Sequence, residues 1–377
     1  MLPETTYPGV YIEERVSGSR AIAGVPTSVA AFIGATRYGP VNRALEVRSF
    51  AGFVRRFGKL SAALETGYAV HQYFLNGGRK AWVVRVAQNP NTHRFKRGLK
   101  ALDGVDLFNL LVLPGVTTPA RVALAAGYCQ KRRVFLLVDA PASAKTPAQI
   151  EEAAQNLAFD SKSHAALYYP WIRITDPLNK SQPRLSPSSG TIAGMIARMD
   201  TSRGVWKAPA GTEANLKGVT GLERELTNAE IGRLNPRAVN CLRSLPVHGP
   251  VAWGARTLAG DDRTGSEFKY IPVRRTALFI AESVSRGIKW AVFEPNDESL
   301  WAQLRLHVGA FLHSLFHAGA FQGTTPREAY FVKCDSTTTR QSDIDAGVVN
   351  VIIGFAPLKP AEFVVLKFRQ EAGQKIP

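Results

Sequence analysis

Cysteine is scarce in this sequence, and long apolar runs are missing. The 377 residues include three cysteines, Cys129, Cys241 and Cys334, and this odd, widely spaced set predicts neither a disulfide framework nor a cysteine-based zinc site. No stretch is long and apolar enough to span a bilayer, and the N-terminus lacks the basic and apolar regions of a secretory signal. These features predict a globular protein from a reducing compartment, with about two or three domains.

Negative charge is also under-represented. The chain has 47 lysines and arginines against 30 aspartates and glutamates, which gives a net charge of +17. Such a balance favours an anionic partner such as a nucleic acid, a membrane surface or an acidic protein. The basic residues are spread along the chain, however, and are not interleaved with aromatics as in a single-strand binder. A solvated basic surface is the preferred interpretation, and a nucleic-acid-binding protein is the alternative.

The middle of the chain alternates between strand and helix patterns. Buried-strand patterns at 108–115, 134–141 and 165–171 alternate with helical patterns at 118–130 and 147–157, which predicts a parallel α/β layer. The remaining predicted segments are strands at 28–34, 81–86, 238–245, 329–334 and 347–357, helices at 48–57, 60–74, 190–200, 228–234, 272–287 and 296–318, and a loop at 173–188.

Both ends of the chain carry an isolated strand pattern next to a breaker. Residues 10–16 alternate in polarity before Gly18, and residues 362–370 alternate after Pro357 and Pro360. A lone strand cannot satisfy its own backbone groups, so it must pair with another strand. Two partners are open: the body of the same subunit, which is the simpler of the two, and the sheet of a neighbouring subunit.

Several segments, in a fixed order along the chain, carry a family resemblance. They are residues 7–14 (YPGVYIEE), 24–34 (GVPTSVAAFIG), 198–200 (RMD), 204–211 (GVWKAPAG), 253–258 (WGARTL), 273–275 (VRR), 293–297 (FEPND), 330–335 (YFVKCD) and 357–363 (PLKPAEF). Taken together they resemble contractile tail sheath proteins, the subunits of phage tails, R-type pyocins and related contractile injection systems.

The resemblance implies an α/β fold class: a subtilisin-like α/β core without a catalytic site, an α+β C-terminal sheath domain, and N- and C-terminal β-strand arms. The implied divisions are an N-terminal strand-exchange arm at 1–20, the N-terminal part of the body at 21–95, the subtilisin-like sheath domain at 96–262, an inner, tube-facing domain at 263–357 and a C-terminal strand-exchange arm at 358–377. The short chain suggests a minimal sheath without large outward domains.

The resemblance also implies a structural role without any cofactor. Subunits of the family form stacked hexameric rings around an inner tube, and the sheath contracts to drive the tube through a target envelope. The expected partners are further copies of the chain, the inner tube protein, and baseplate and terminator or cap proteins, with no nucleic acid and no membrane insertion. The expected location is a phage virion tail or a released phage tail-like particle, after synthesis and assembly in the bacterial cytoplasm.

The implied interface residues fall into three groups. The residues expected to exchange strands between subunits are Val10, Tyr11, Ile12, Glu13, Val16, Phe363, Val364, Val365, Leu366 and Phe368. The expected hinges are Gly18, Pro357 and Pro360. The expected tube-facing residues are Arg305, His313, His317 and Arg327, because basic charge suits a reversible grip. The helix that carries three of them is apolar on most faces, so a core role for that helix is the alternative.

A hydrolase is the competing interpretation of a subtilisin-like core. Asp139, His164 and Ser189 occur in the chain order of that class, but His164 lacks the neighbouring glycine of a catalytic histidine and the residues around Ser189 lack the protease motif. We therefore predict no catalytic triad. His313 and His317 share a helix face without a carboxylate nearby in sequence, so we predict no metal site. No nucleotide-binding loop motif occurs either.

Overall fold

The structure is a computed structural model, and it describes residues 21–88, 90–179 and 182–363. The strands β1 to β13 are Ala30–Gly34, Ala44–Val47, Ala81–Arg85, Leu110–Val112, Phe135–Asp139, Ala165–Tyr169, Ile172–Thr175, Pro183–Ser186, Val219–Leu222, Val239–Leu245, Gly249–Ala252, Tyr330–Lys333 and Ile352–Phe355. The helices α1 to α11 are Phe50–Phe57, Glu65–Asn76, Thr92–Lys100, Pro119–Arg132, Pro147–Gln155, Ser189–Arg203, Asn228–Leu234, Ile271–Gly287, Glu298–His317, Pro326–Ala329 and Gln341–Asp345.

Eight strands form one mostly parallel sheet, in the order β11-β10-β6-β5-β4-β1-β3-β2. The strands from β10 to β3 in this order run parallel, and β11 and β2 pair antiparallel at the two edges. The predicted parallel α/β layer is therefore confirmed. Strands β1 and β3 precede residue 95 but lie in the same sheet as β4 to β6, so the layer runs through both predicted segments, 21–95 and 96–262.

Successive side chains of the sheet enter two separate cores, as the two-residue period of a strand requires. In β1, Ala31 and Ile33 join the core beneath α3 and α4, whereas Phe32 joins the core beneath α2 and α6. In β5, Leu136 lies in the same core as Ala31 and Ile33, and Leu137 lies in the same core as Phe32. The sheet therefore carries a layer of helices on each face.

Helices α2 and α6 approach closely because α6 has glycines where they cross. A Cβ at Gly190 would lie 2.5 Å from the carbonyl oxygen of Ala69, and a Cβ at Gly194 would lie 2.4 Å from that of Tyr73. Both separations are far below van der Waals contact, so a larger residue at either position would push the helices apart. This packing holds the N-terminus of α6 beside the end of β5.

The structure corrects the loop expected at 173–188. Strands β7 and β8 form a hairpin there, and β9 joins it in a three-stranded antiparallel sheet. Ile172 and Ile174 are buried while Arg173 and Thr175 are exposed. This alternation is a strand signal, and the proline- and serine-rich composition of the segment obscured it.

Strands β2, β9 and β11 and helices α10 and α11 were not predicted from the sequence. Helix α3 was not predicted, because its many basic residues hide a short apolar face made by Phe95 and Leu99. The strand expected at 347–357 is shorter, since β13 covers Ile352–Phe355. Propensity and pattern therefore locate the elements better than their ends.

The C-terminal part of the chain forms a smaller unit of helices and one hairpin. Helices α8 and α9 pack through Ile280, Val284, Val308 and Phe311, and the hairpin β12–β13 packs on the same core. Ile22, near the start of the described chain, enters this core as well. The residues that follow segment 1–20 are therefore anchored on the C-terminal unit.

The eight-stranded sheet and the two-stranded sheet β12–β13 differ at their edges. Edge strand β11 contains Pro250, and residues 214–216 hydrogen-bond along it. Edge strand β2 is four residues long and carries Glu46, which is paired with Arg48 and Lys80. Proline, charge and covering segments all discourage the addition of another strand. By contrast, no strand in the described part of the chain pairs with the outer edge of β13.

Candidate assembly surfaces

Asp139 and Ser189 are in contact, but His164 lies elsewhere. Asp139 ends β5 and Ser189 begins α6, and the Ser189 hydroxyl donates to Asp139 Oδ2 at 2.7 Å. His164 immediately precedes β6, whereas the residue of β6 that pairs with Asp139 is Tyr168. Because a strand rises about 3.3 Å per residue, His164 is about 13 Å further along the sheet. The three residues therefore do not form a triad.

The Asp139 carboxylate serves the N-terminus of α6 instead. It accepts hydrogen bonds from the backbone amides of Ser189 at 2.8 Å and Gly115 at 3.1 Å. Burial raises the pKa of the Asp139 carboxyl, and these hydrogen bonds oppose that rise. Burial, assisted by repulsion from Arg274, lowers the pKa of His164 to about 4. The Ser189 hydroxyl thus donates to the Asp139 carboxyl group, and His164 is too far away to activate it.

A buried ion pair joins α8 to α6. Arg275 donates to both carboxylate oxygens of Asp200, at 2.8 Å and 2.6 Å, and the two side chains are only 4% and 3% exposed. The guanidinium also donates to the carbonyl oxygen of Thr27, just before β1. This pair therefore ties the C-terminal unit to the central sheet and to the N-terminal segment.

A second buried arginine holds the chain near its C-terminal segment. Arg256 donates from Nε to Glu362 Oε1 at 2.8 Å and from Nη2 to Glu362 Oε2 at 2.6 Å. Its Nη1 donates to Asp262 Oδ1 at 2.9 Å and to the carbonyl oxygen of Gly260 at 3.1 Å. The Arg256 side chain is 1% exposed, so its charge is balanced entirely by these partners.

The charge of Arg256 controls the ionisation of Glu362. Burial by itself raises the pKa of the Glu362 carboxyl, but the hydrogen bonds and positive charge of Arg256 outweigh it and hold the pKa below its ordinary value. Glu362 is therefore a carboxylate at neutral pH, and the pair is an ion pair rather than a neutral hydrogen bond.

Helix α9 has a buried face and a largely uncharged exposed face. The predicted apolar residues Leu300, Leu304, Val308, Phe311 and Leu315 are all buried, which confirms the core role. The exposed residues are Glu298, Ser299, Ala302, Gln303, Leu306, Ala310, His313, Ser314 and His317. Glu298 is the carboxylate among them, and it is paired with Arg305.

The predicted tube-facing residues occupy different environments. His313 Nε2 lies 2.9 Å from His317 Nε2, and His313 Nδ1 lies 3.1 Å from the Tyr330 hydroxyl. Arg305 instead turns to Glu298, at 2.6 Å, and to the carbonyl oxygen of Cys334. Arg327 lies exposed in α10. The structure thus brings the two histidines together and gives the Arg305 guanidinium a partner on its own subunit.

Most of the predicted strand-exchange residues lie outside the described residues. These are Val10, Tyr11, Ile12, Glu13, Val16, Val364, Val365, Leu366 and Phe368, together with the hinge residue Gly18. Phe363 is described and is 77% exposed. Pro357 forms an isolated bridge with Phe321, and Pro360 is half-buried.

Other kinds of site find little support in the described ranges. No helix there combines the length and apolarity that crossing a membrane requires. No three or more histidine, cysteine, aspartate or glutamate side chains of that part of the chain are grouped to hold a metal ion. The three cysteines are unpaired and buried, and burial raises the pKa of each thiol.

Comparison with known families accounts for this arrangement. The phage tail sheath protein central domain matches residues 89–258, and the phage tail sheath C-terminal domain matches residues 263–371. The chain belongs to the phage tail sheath protein family. The resemblance inferred from the sequence is thereby confirmed, and the boundary between the two matches falls where the central sheet of this sheath protein gives way to α8.

Individual sheath proteins resemble the chain over different lengths. The tail sheath protein of Burkholderia phage BcepMu is 28% identical over 255 residues, which are 62% of this chain and 51% of that protein. The chain thus matches about half the length of this curated relative. The sheath complex of PVC, an extracellular contractile injection system, solved in its contracted state, is 32% identical, with a TM-score of 0.81 and 98% of each chain covered. A chain of the anti-feeding prophage (AFP) baseplate is 28% identical, with a TM-score of 0.78, and the match covers 97% of this chain and 99% of that chain.

The partners of the two buried arginines were not predicted from the sequence. Arg256 and Arg275 both lie in segments that carry the sheath resemblance, and Arg256 follows the uncharged residues 253–255, whereas Arg275 stands between Arg274 and Thr276. A charged residue in an apolar setting is almost always paired when buried. That signal points to Arg256 but not to Arg275, and the acid that pairs with each is distant in sequence and is revealed by the fold.

Proposed function

We propose that this chain is the structural subunit of a contractile sheath, which polymerises as stacked hexameric rings around an inner tube and contracts to drive the tube through a target envelope. The observation that carries this proposal is the near full-length likeness to the PVC sheath in its contracted state. In this proposal the core keeps a subtilisin-like topology without hydrolytic activity, and the separation of His164 from Asp139 and Ser189 supports that view.

Neighbouring subunits are joined by strand exchange in this proposal. The N-terminal arm at 1–20 and the C-terminal arm at 358–377 add to sheets of adjacent copies through Val10 to Val16 and Phe363 to Phe368. The hinges Gly18, Pro357 and Pro360 let each body turn while the strand pairing persists. One added strand makes a few backbone hydrogen bonds of about 1 kcal/mol each, so a single joint is modest and the polymer is held by many.

The acceptor for an added strand is the hairpin β12–β13. A two-stranded sheet is marginal by itself and gains most from a further strand. The amide of Ala356 donates to the carbonyl oxygen of Ala329, and the same register makes Gly354 and Phe331 a hydrogen-bonded pair. The amides of Ile353 and Phe355 therefore point away from β12. This outward row of donors is the edge that an incoming arm pairs with.

The tube lies against the exposed face of α9 and the following turn in this proposal. His313, His317 and Arg327 are the basic groups that contact it, and Leu306 adds an exposed apolar side chain. Arg305 is directed to Glu298 and contributes less. Charge contacts at a surface are weakened by salt, which suits a grip that must be released during contraction.

The remaining proposed partners are the proteins at the two ends of the sheath. The likeness to a chain of the AFP baseplate supports contact with baseplate proteins, and a terminator or cap protein would close the other end. The particle is a phage tail or a released tail-like particle, assembled in the bacterial cytoplasm. The energy for contraction comes from subunit contacts that improve in the contracted state, so no nucleotide or other cofactor is required.

Deletion of residues 1–17 tests the proposal. We expect the shortened chain to remain a folded, soluble monomer by circular dichroism and light scattering, and the full chain to form striated tubes in negative-stain micrographs. Striated tubes from the shortened chain would refute the role of the N-terminal arm. Salt-dependent retardation of nucleic acid by a full chain that forms no polymer would refute the sheath and favour the nucleic-acid-binding alternative.

A further inference from the structure

A buried ion pair lies at the C-terminal end of the described chain. Glu362 is the last residue but one of the described chain, and its side chain is 14% exposed, whereas the next residue, Phe363, is 77% exposed. The change from a fixed, buried side chain to an exposed one therefore takes place within one residue. This change in exposure lies after both Pro357 and Pro360 in the sequence.

The arginine that holds Glu362 is itself held rigidly. Asn240 in β10 is fully buried and accepts a hydrogen bond from the Arg256 amide at 2.7 Å, while its side-chain amide donates to the Arg256 carbonyl oxygen at 2.8 Å. The backbone of Arg256 is thus fixed to the central sheet from both sides. Gly260 and Asp262 then orient the guanidinium, leaving its Nε and Nη2 edge for Glu362.

The geometry of this contact gives direction as well as attraction. Two parallel N–H to oxygen bonds, at 2.8 Å and 2.6 Å, restrict the carboxylate to the plane of the guanidinium. The Tyr270 hydroxyl lies 3.3 Å from Glu362 Oε2 and covers another side of the carboxylate. A lysine would supply charge without this planar restriction.

The ion pair between Arg256 and Glu362 lies where the central sheet meets the C-terminal unit. Arg256 forms a bridge with Tyr270, and the amide of Ile271, the first residue of α8, donates to the carbonyl oxygen of Ala255. A pull on the C-terminal arm therefore acts on the junction between the central sheet and α8, rather than on the hairpin β12–β13 alone.

We propose that Arg256 is a positioning residue for assembly, whose ion pair with Glu362 sets the point and direction at which the C-terminal arm leaves the subunit. This contact places the C-terminal hinge after Glu362, in place of the hinges expected at Pro357 and Pro360, because the segment from Pro357 to Glu362 is then fixed to the body. This inference rests on the strand exchange of the proposed function. Fixing the residue from which an arm extends limits the conformational freedom that is lost when the arm binds a neighbour, which favours binding.

The first measurement is the mobility of the arm root. A nitroxide attached to Phe363→Cys is selective, because the three native cysteines are buried. We expect a restricted spectrum in the parent chain and a mobile one after Glu362→Gln or Arg256→Lys. Glu213→Gln is the matched control, since Glu213 forms an exposed ion pair with Arg203, and it should leave the spectrum unchanged. Equal mobility at residue 363 in all variants would overturn the proposal.

The second measurement is assembly, scored as pelleted sheath at equal protein concentration and well below the unfolding temperature of each variant. We expect about a tenfold loss for Glu362→Gln, equivalent to about 1.4 kcal/mol, and none for Glu213→Gln. Deletion of residues 364–377 distinguishes the proposed strand exchange from the proposed positioning role of Arg256. If that deletion still assembles, the proposed strand exchange by this arm fails. If the deletion abolishes assembly while Glu362→Gln assembles normally, the positioning role of Arg256 fails alone.

Discussion

Arg275 and Asp200 form a two-pronged ion pair inside the protein, at the point where α8 crosses from the C-terminal unit to α6. The guanidinium also reaches the carbonyl oxygen of Thr27, so three distant parts of the chain converge on one side chain. A pair of this kind resists removal of either partner, because the charge left behind remains buried without compensation.

Replacing Asp200 with asparagine should therefore destabilise the subunit strongly. We expect the free energy of unfolding to fall by about 3–5 kcal/mol, measured by urea denaturation of the monomer. Glu213→Gln removes the acid of the exposed pair with Arg203 and should cost only about 0–1 kcal/mol. Equal costs for the two variants would show that the buried pair does not connect the two units energetically.

The outer edge of β13 should be essential for polymerisation but dispensable for folding. Ile353→Pro removes an amide that points away from β12, a position where an edge strand tolerates proline. We expect a folded monomer that forms no striated tubes in micrographs, whereas Ile353→Val, which keeps the amide, should assemble normally. Normal tubes from the proline variant would place the acceptor at another edge.

The grip on the tube should depend on Arg327 rather than Arg305. Arg327→Gln should lower the fraction of sheath that co-sediments with tube protein and flatten its dependence on salt, because an exposed cationic contact is lost. Arg305→Gln should leave the salt dependence unchanged, since Glu298 already partners that charge. If Arg305→Gln had the larger effect, the ion pair with Glu298 would have to open on binding.

The ion pair between Arg256 and Glu362 should persist throughout the physiological pH range. The pKa of Glu362 in the folded state lies below its ordinary value of 4.5, so its contribution to stability is present above that pH and is lost only as the pH falls through the lowered pKa. The difference in unfolding free energy between the parent chain and Glu362→Gln should be constant from pH 8 to about pH 5, and shrink below. A difference that changes between pH 6 and pH 8 would implicate another group.

The parallel layer was predictable because its signals are local. Uninterrupted apolar runs such as residues 134–138, followed by helical spacing, mark buried parallel strands without any knowledge of the partner strand. The family resemblance then indicated a sheath, whereas net charge alone suggested a basic nucleic-acid binder. Both inferences draw on features contained within short stretches of sequence.

The interface chemistry was less predictable because it depends on long-range pairing. Arg256 meets Glu362 across 106 residues, and Arg275 meets Asp200 across 75. Nothing in the local pattern indicates which acid pairs with which arginine. The local pattern also did not show that Arg305 has partners on its own subunit. The expectation that Arg305 faces the tube stays untested, but its guanidinium donates to Glu298 and to the carbonyl oxygen of Cys334.

The guarded edges of the eight-stranded sheet have a consequence for the life of the free subunit. Pro250 on one side and the charged cluster around Glu46 on the other leave the sheet of a free copy with few backbone groups open to unspecific strand pairing. If the chain assembles as proposed, we expect free copies to stay separate at high concentration and to join a growing sheath through their arms. Ordered assembly and precipitation would then use different surfaces.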